Sequence, residues 1–329
     1  MILLLARGDL LTDLLTIGIL GVIIGLYVLA NFGERSRTPR LLTLIAGGGL
    51  AGIALLIGAA VCALNLLLFQ TGAEDLARFR AALLFGGPVG LAGALGLLYL
   101  WPRVQQLVAR VIPVRPGSPV VYLTVVLGLL LVGQQIGVPL QTQTAPLTYG
   151  DLLAQDIPFL ILGFIGVGAF VRRPLPEAAQ RLGLVPPAAS WWWIVALVAI
   201  AAFLAVAYGI ERVADVVAPA QQKQVTDVSN VLFSHFNNPA AIVFLGVLAG
   251  VVEETLFRGA LVPRFGVVVS SILFAALHTQ YAISFATLEV LVLGIGLGLL
   301  RIYSRSTLPC MVTHAGYDIA VGLIPFVLK

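Results

Sequence analysis

Apolar residues run along this chain in long blocks separated by short polar punctuation, the pattern of helices that cross a lipid bilayer. Ten blocks are legible, roughly at 13–30, 41–69, 81–101, 119–138, 152–171, 191–210, 241–257, 265–282, 285–300 and 307–327. The pattern predicts an all-α fold, a polytopic transmembrane helical bundle of about ten membrane segments. A span needs roughly 20 residues. The second block is longer, so it predicts a helix that is tilted, kinked at Gly47-Gly48-Gly49, or partly outside the bilayer. The longest polar connection, about 211–240, reads as a solvated loop with at most a short surface helix, and His235 as a loop residue. A boundary falls near Arg181–Pro187, where a polar stretch gives way to Trp191-Trp192-Trp193. It divides the chain into an N-terminal membrane module at 1–181, with no evident chemistry, and a second domain at 182–329.

Composition sharpens the class. Of 329 residues, 60% are hydrophobic and 10% charged, and the mean hydropathy is +1.04. Soluble domains carry about 25% charged residues, so a soluble enzyme, a disordered chain and a secreted disulfide scaffold are all excluded. The two cysteines, Cys62 and Cys310, both lie in apolar stretches and make neither a disulfide framework nor a zinc knuckle. The net charge of +4 contains no basic run, so no nucleic-acid partner is expected. The start MILLLARGD lacks the basic n-region of a secretory signal, and the first apolar segment is expected to stay as a span.

Charge also orients the bundle. Of the 19 basic residues, 13 lie on odd-numbered connections, counting Arg258 and Arg264 with the seventh. The positive-inside tendency then places those connections in the cytoplasm and both termini outside. Trp101 and the Trp191–Trp193 run fall at that same interface, where indole rings prefer to sit. The excess of Arg over Lys and the Ala, Gly and Leu richness suggest a high-GC prokaryote, hence an integral protein of a prokaryotic cytoplasmic membrane.

Ionisable residues inside membrane segments are costly and mark function by default. Here they concentrate after residue 250. Glu253 and Glu254 sit in GVLAGVVEETLF, Arg258 follows, His278 closes FAALH, and HAGYD carries His314 and Asp318. On a helix, residues four apart share a face. This pairs Glu254 with Arg258, Phe274 with His278, and His314 with Asp318. Glu253 lies about 100° round from Glu254, so the simplest division gives Glu254 to Arg258 and leaves Glu253 as the active carboxylate. At about 1.5 Å per residue, Glu253 falls roughly 8 Å from the cytoplasmic end of its helix. His278 falls roughly 20 Å beyond Arg264, and His314 and Asp318 roughly 8–16 Å into theirs.

Two mechanisms fit such a set. In one, Glu253 is a general base that activates water held by His278, and His314 and Asp318 stabilise the oxyanion or orient the carbonyl. No cofactor is then required. In the other, Glu253, His278 and His314 hold a zinc ion, a His₂Glu set suited to hydrolysis. HExxH, GxSxG and GxGD signatures are all absent from the sequence. Glu289 reads as facing a cavity or interface, Phe274 as core, and Tyr317 as core or as a hydroxyl donor to the site.

These residues resemble a known family. EETLFR is similar to an EExxxR motif, FAALH to FxxxH and HAGYD to HxxxN/D, in that order and segment spacing. They are the motifs of the CPBP family, the CAAX prenyl protease and bacteriocin-processing (Abi or Rce1-like) intramembrane proteins. The resemblance covers roughly 240–329, and the RLGL stretch before the Trp run looks like the usual lead-in. It implies a glutamate-dependent intramembrane endopeptidase with a C-terminal four-helix catalytic core. Glu253 and His278 would activate water, His314 and Asp318 would form the oxyanion site, and Glu254 and Arg258 would be a supporting ion pair. Members have also been described as metalloproteases, so zinc stays open. Asp318 departs from the more usual Asn: an ionised Asp would repel an oxyanion, so it must be protonated, paired with His314, or structural.

The expected partners are the lipid bilayer and a membrane-protein or peptide substrate cut near the cytoplasmic side; nothing in the sequence sets an oligomeric state. A prokaryotic host implies no prenylated CAAX substrate. The rivals are a non-catalytic protein of the same fold, such as a peptide-binding immunity factor or scaffold, and a transporter using its buried charges as a proton relay. Clustering of the charges in one half weighs against transport.

Overall fold

The computed structural model describes residues 10–72, 75–138 and 145–327, and the MILLLARGD start lies outside them. Every named element among the described residues is helical. In chain order these are α1 (Leu10–Gly33), α2 (Arg37–Gln70), α3 (Leu76–Leu98), α4 (Pro102–Val108), α5 (Pro119–Gly137), α6 (Tyr149–Gly166) and α7 (Leu175–Arg181). They continue as α8 (Trp192–Val217), α9 (Pro219–Leu232), α10 (Pro239–Glu254), a π-helical turn (Thr255–Leu261), α11 (Val262–Leu277), a 3₁₀ turn (Thr279–Tyr281), α12 (Phe285–Ser304) and α13 (Leu308–Val327). Each of the ten apolar blocks therefore lies on helix.

Among the described residues, seven helices are long and apolar enough to cross a bilayer, and the chain is a polytopic helical membrane protein. The count falls below ten for two reasons. Pro239–Leu277, two helices joined at the non-helical Gly266 as the sequence suggests, counts once, and the helices of the 152–171 and 307–327 blocks are not among the seven. The long second block is a single helix of 34 residues that continues through Gly47-Gly48-Gly49. The 211–240 region departs from the expected loop. α8 extends to Val217, and α9 follows as a 14-residue helix with Val225, Val228 and Leu232 buried along one face.

The chain forms two compact units, Leu26–Pro139 on one hand and Met1–Gly25 with Leu140–Lys329 on the other. In the first, α2 and α3 approach through small residues. Gly58 lies against the Gly86 and Gly90 backbone, and Gly93 against Ala51 and Leu55. Close backbone approach at small residues is how membrane helices pack when lipid removes the hydrophobic driving force.

The second unit holds all the candidate chemistry, and two glycine features position it. The first is the spacing Gly246-xxx-Gly250 on α10, which seats α13. A Cβ on Gly250 would lie 2.9 Å from Ala315 Cβ, 3.0 Å from its backbone nitrogen and 3.1 Å from the Met311 carbonyl. None of these atoms is the end of a flexible side chain. Gly250→Ala is therefore expected to push α10 and α13 apart and cost about 1–3 kcal/mol, read as a lower unfolding midpoint in detergent, whereas Gly49→Ala on α2, where a Cβ meets nothing within 4 Å, should leave it unchanged.

The second is Gly266, where φ 77° and ψ 175° break the helix. A side chain is strained at such a φ, so glycine makes the corner. The helix bearing Glu253 thus does not end near residue 257. It runs on through the π turn, and the reversal comes at Gly266, twelve residues after Glu254 and twelve before His278. At about 1.5 Å per residue, Glu254 and His278 lie at similar distances along the chain from that corner, in keeping with the expectation that the site residues converge.

The RLGL stretch docks on the α12–α13 connection. Thr307 Oγ1 donates to the Leu182 carbonyl at 2.6 Å, the Thr307 amide to Gly183 at 2.8 Å, and Ser306 Oγ to Val185 at 2.6 Å.

Candidate active site

The centre of the site is the carboxylate of Glu254. Its Oε1 accepts from Arg258 Nη1 at 2.7 Å and faces His314 Nδ1 at 2.8 Å. The first contact follows from the i, i+4 register of one helix; the second joins residues 60 positions apart and exists because the Gly246 and Gly250 face admits α13. Glu254 and Arg258 are 0% and 1% exposed. Arg258 also donates from Nη2 to the Gly294 carbonyl at 3.1 Å, and its guanidinium carbon lies 4.3 Å from the centre of the Phe274 ring. Arg258 therefore belongs to the bundle interior and not to a connection, which lowers the basic count on odd connections from thirteen to twelve.

His314 gathers the acidic groups. Its Nε2 lies 3.5 Å from Asp318 Oδ2 and 3.9 Å from Glu253 Oε2. Of the three states open to Asp318, the geometry is the one that pairs it with His314. Oε2 of both Glu253 and Glu254 is buried without a hydrogen bond; the difference lies at Glu254 Oε1, which Arg258 and His314 hold. The two neighbouring carboxylates thus differ in surroundings: one is fixed by two donors, the other is not.

His278 stands at the C-terminal end of α11. Its Nδ1 bonds the Phe274 carbonyl one turn back at 2.9 Å. In the neutral ring this makes Nδ1 the donor and leaves Nε2 with its lone pair. Phe274 is buried, as a core residue would be, but it also links the site: its ring centroid is 4.9 Å from that of His278, 5.8 Å from that of His314, and it carries the Arg258 guanidinium. Tyr281 stacks beyond His278 at 6.4 Å. Tyr317 does not donate towards Asp318; its hydroxyl donates to Glu289 Oε1 at 2.6 Å.

One buried acid escaped the sequence reading. Asp156, on α6, is 4% exposed, and its carboxyl lies within electrostatic reach of Glu253. The signal was available, an ionisable residue inside an apolar block. Asp151, earlier on α6, is accounted for structurally, since it forms a capping box with Thr148.

The zinc set of Glu253, His278 and His314 can be held against this geometry. Among the described residues, no three His, Cys, Asp or Glu side chains are placed to hold a metal ion. The residues as arranged do not fit a metal centre, and no step below passes through one.

Residues 235–320 match the family model "Rce1-like: Type II CAAX prenyl endopeptidase Rce1-like". No curated protein and no solved structure matches the chain. The match spans the three motif helices and agrees with the CPBP resemblance of the motifs.

Proposed function

We propose that this Rce1-like domain makes the chain an intramembrane endopeptidase, in which Glu253 and His278 activate water and His314, with Asp318, forms the oxyanion site. The domain match supports a membrane protease acting on peptides. The residues and the mechanism rest on one observation: two sequence-distant motifs meet at His314, which faces Glu254 through Nδ1 and Glu253 and Asp318 through Nε2, and Phe274 of the third lies 5.8 Å from its ring.

The chemistry follows from what each group can still do. Glu254 is committed to Arg258 and His314, so it holds the architecture. Glu253, which has no tie like the one Arg258 and His314 make to Glu254 Oε1, is the carboxylate free to take a proton from water as the oxygen attacks the scissile carbonyl. His278, with Nδ1 donating to Phe274, offers Nε2 to orient that water. His314, fixed through Nδ1, presents Nε2–H as the donor for the oxygen that becomes negative. Asp318 beside Nε2 pairs with the imidazole; a paired carboxylate repels the oxyanion less than a free one. The proton taken by Glu253 then leaves on the amine product.

The substrate class is a membrane protein or hydrophobic peptide, reaching the site laterally or from the cytoplasm. The cytoplasmic side follows from the arginine bias, and a prokaryotic cytoplasmic membrane from composition. The test is reconstitution in vesicles and a screen of hydrophobic peptides for cleavage. Wild type is expected to cut some sequences, and His278→Ala to slow that cleavage at least tenfold. Cleavage that survives thorough chelation supports the metal-free reading; cleavage abolished by chelation and restored by zinc overturns it. A folded protein that cuts nothing in an exhaustive screen favours the non-catalytic scaffold.

A further inference from the structure

The end of α12 carries a cation that the bundle does not neutralise. Arg301 lies in the last turn of that span. Its guanidinium rests on Gly183: a Cβ placed there would fall 2.6 Å from Nη2, 2.8 Å from Cζ and 3.0 Å from Nε. Such even distances put the planar face of the group on the glycine, and a residue with a side chain would displace it. The frame is fixed by the Thr307 and Ser306 bonds to Leu182, Gly183 and Val185, and by the Ala188 amide, which donates to the Ser304 carbonyl at 3.2 Å.

Within this frame Arg301 has no partner. Its Nε is buried without a hydrogen bond, and the side chain makes no ion pair among the described residues. The residue is nonetheless partly exposed, so the group opens outward through its Nη atoms. No acidic residue occurs at 178–210 or at 290–317, the segments around it. The neighbouring charges are of the same sign. Arg181 closes α7 two residues before Gly183, and Arg305 follows one turn after Arg301; both are exposed. On α11, which packs along α12, the one charged residue is Arg264.

Two tryptophans give the depth. Trp192 packs on the cluster of Leu297, Leu300 and Cys310, beside Arg301, and stacks at 4.1 Å on Trp191, which is exposed. Indole rings settle at headgroup level. Arg301 is therefore at the depth of lipid phosphates.

We propose that Arg301, with Arg181 and Arg305 at its rim, binds the headgroup phosphate of an anionic phospholipid. A half-buried cation without an acceptor is costly, and a planar guanidinium matches a phosphate through two parallel donors. Basic pockets between membrane helices take anionic headgroups in this way. The site lies outside the His314 cluster and holds whether or not the chain cleaves peptides.

The experiment uses the full chain in dodecyl maltoside. Binding is titrated by native mass spectrometry, and the unfolding midpoint is followed with each addition. The probes are dioleoyl phosphatidylglycerol, dioleoyl phosphatidylcholine and inorganic phosphate. Phosphatidylglycerol is expected to be retained in preference to phosphatidylcholine and to raise the midpoint. Arg301→Gln should weaken that binding about tenfold, the loss of one charge-assisted pair. Arg181→Gln should weaken it less, and Arg103→Gln, an exposed arginine on α4, should leave it unchanged. Equal weakening in Arg301→Gln and Arg103→Gln overturns the proposal, because attraction is then spread over the whole surface. No preference for phosphatidylglycerol overturns it too. Inorganic phosphate bound as tightly as the lipid identifies a free anion as the ligand and overturns the lipid assignment. If Arg301→Gln does not fold, Arg181→Gln against Arg103→Gln decides, since Arg181 makes no hydrogen bond or ion pair among the described residues whose loss would unfold the chain.

Discussion

Glu253→Gln is expected to lower peptide cleavage by about 10²–10⁴-fold, the contribution of a general base, while leaving the fold intact. The contrast between two adjacent glutamates carries the prediction. Glu253 Oε2 makes no hydrogen bond, so an amide of the same shape removes the proton acceptor and little else. Glu254 Oε1 serves Arg258 and His314 together, so Glu254→Gln should lose stability as well as activity. The measurement is the cleavage rate on any peptide found in the screen, alongside the unfolding midpoint of each variant. A Glu253→Gln protein that cuts at the wild-type rate would remove Glu253 from the chemistry. One that melts well below wild type would show that its role is architectural.

The second large effect is on stability. Arg258→Ala is expected to cost about 3–5 kcal/mol, the range for breaking a buried ion pair by removing one partner. The Glu254 carboxylate is fully buried, and without Arg258 only His314 remains to satisfy it. The Gly294 carbonyl loses a donor and Phe274 the cation lying over its ring. Arg258→Lys should retain part of the stability, since one ammonium can face Glu254 but cannot also reach Gly294 as a planar fork does. The double variant Glu254→Gln, Arg258→Ala should recover part of the single-variant loss, because no buried charge is then left uncompensated. An Arg258→Ala protein with an unchanged midpoint would mean the pair is solvated, contrary to its burial.

The helical class and the Glu254–Arg258 register could be read directly from the sequence, because both depend on short-range periodicity. What could not be read was every relation that needs a second helix. The contact between His314 and Glu254 depends on which face of α10 is small enough to admit α13, a question of backbone separation. The corner at Gly266 was hidden because Arg258, Pro263 and Arg264 look like the polar punctuation between spans, whereas Arg258 finds its partners inside the bundle. α9 was masked by composition: Gln221, Gln222 and Gln224 suggest a loop, yet Val225, Val228 and Leu232 keep helical spacing and are buried. Asp156 was lost to averaging, since one carboxyl barely changes the hydropathy of a block whose other members are apolar.

The placement of Glu254 and Arg258 on a single helix bears on how the site comes into being. Threading a charged side chain to the middle of a bilayer costs about 2.5–3.5 kcal/mol on insertion scales. Two charges one turn apart can neutralise each other within their own helix, before any other segment has entered. The imidazole of His314 belongs to α13, which emerges from synthesis later, and until it arrives Glu254 has Arg258 alone. The nascent chain can therefore carry its most expensive residues into lipid as a matched couple, and the arrangement around His314 is assembled only when α13 slides against the glycines of α10. A membrane protein built this way has no organised cluster around His314 during its own insertion, when unfinished segments of the same chain lie within reach.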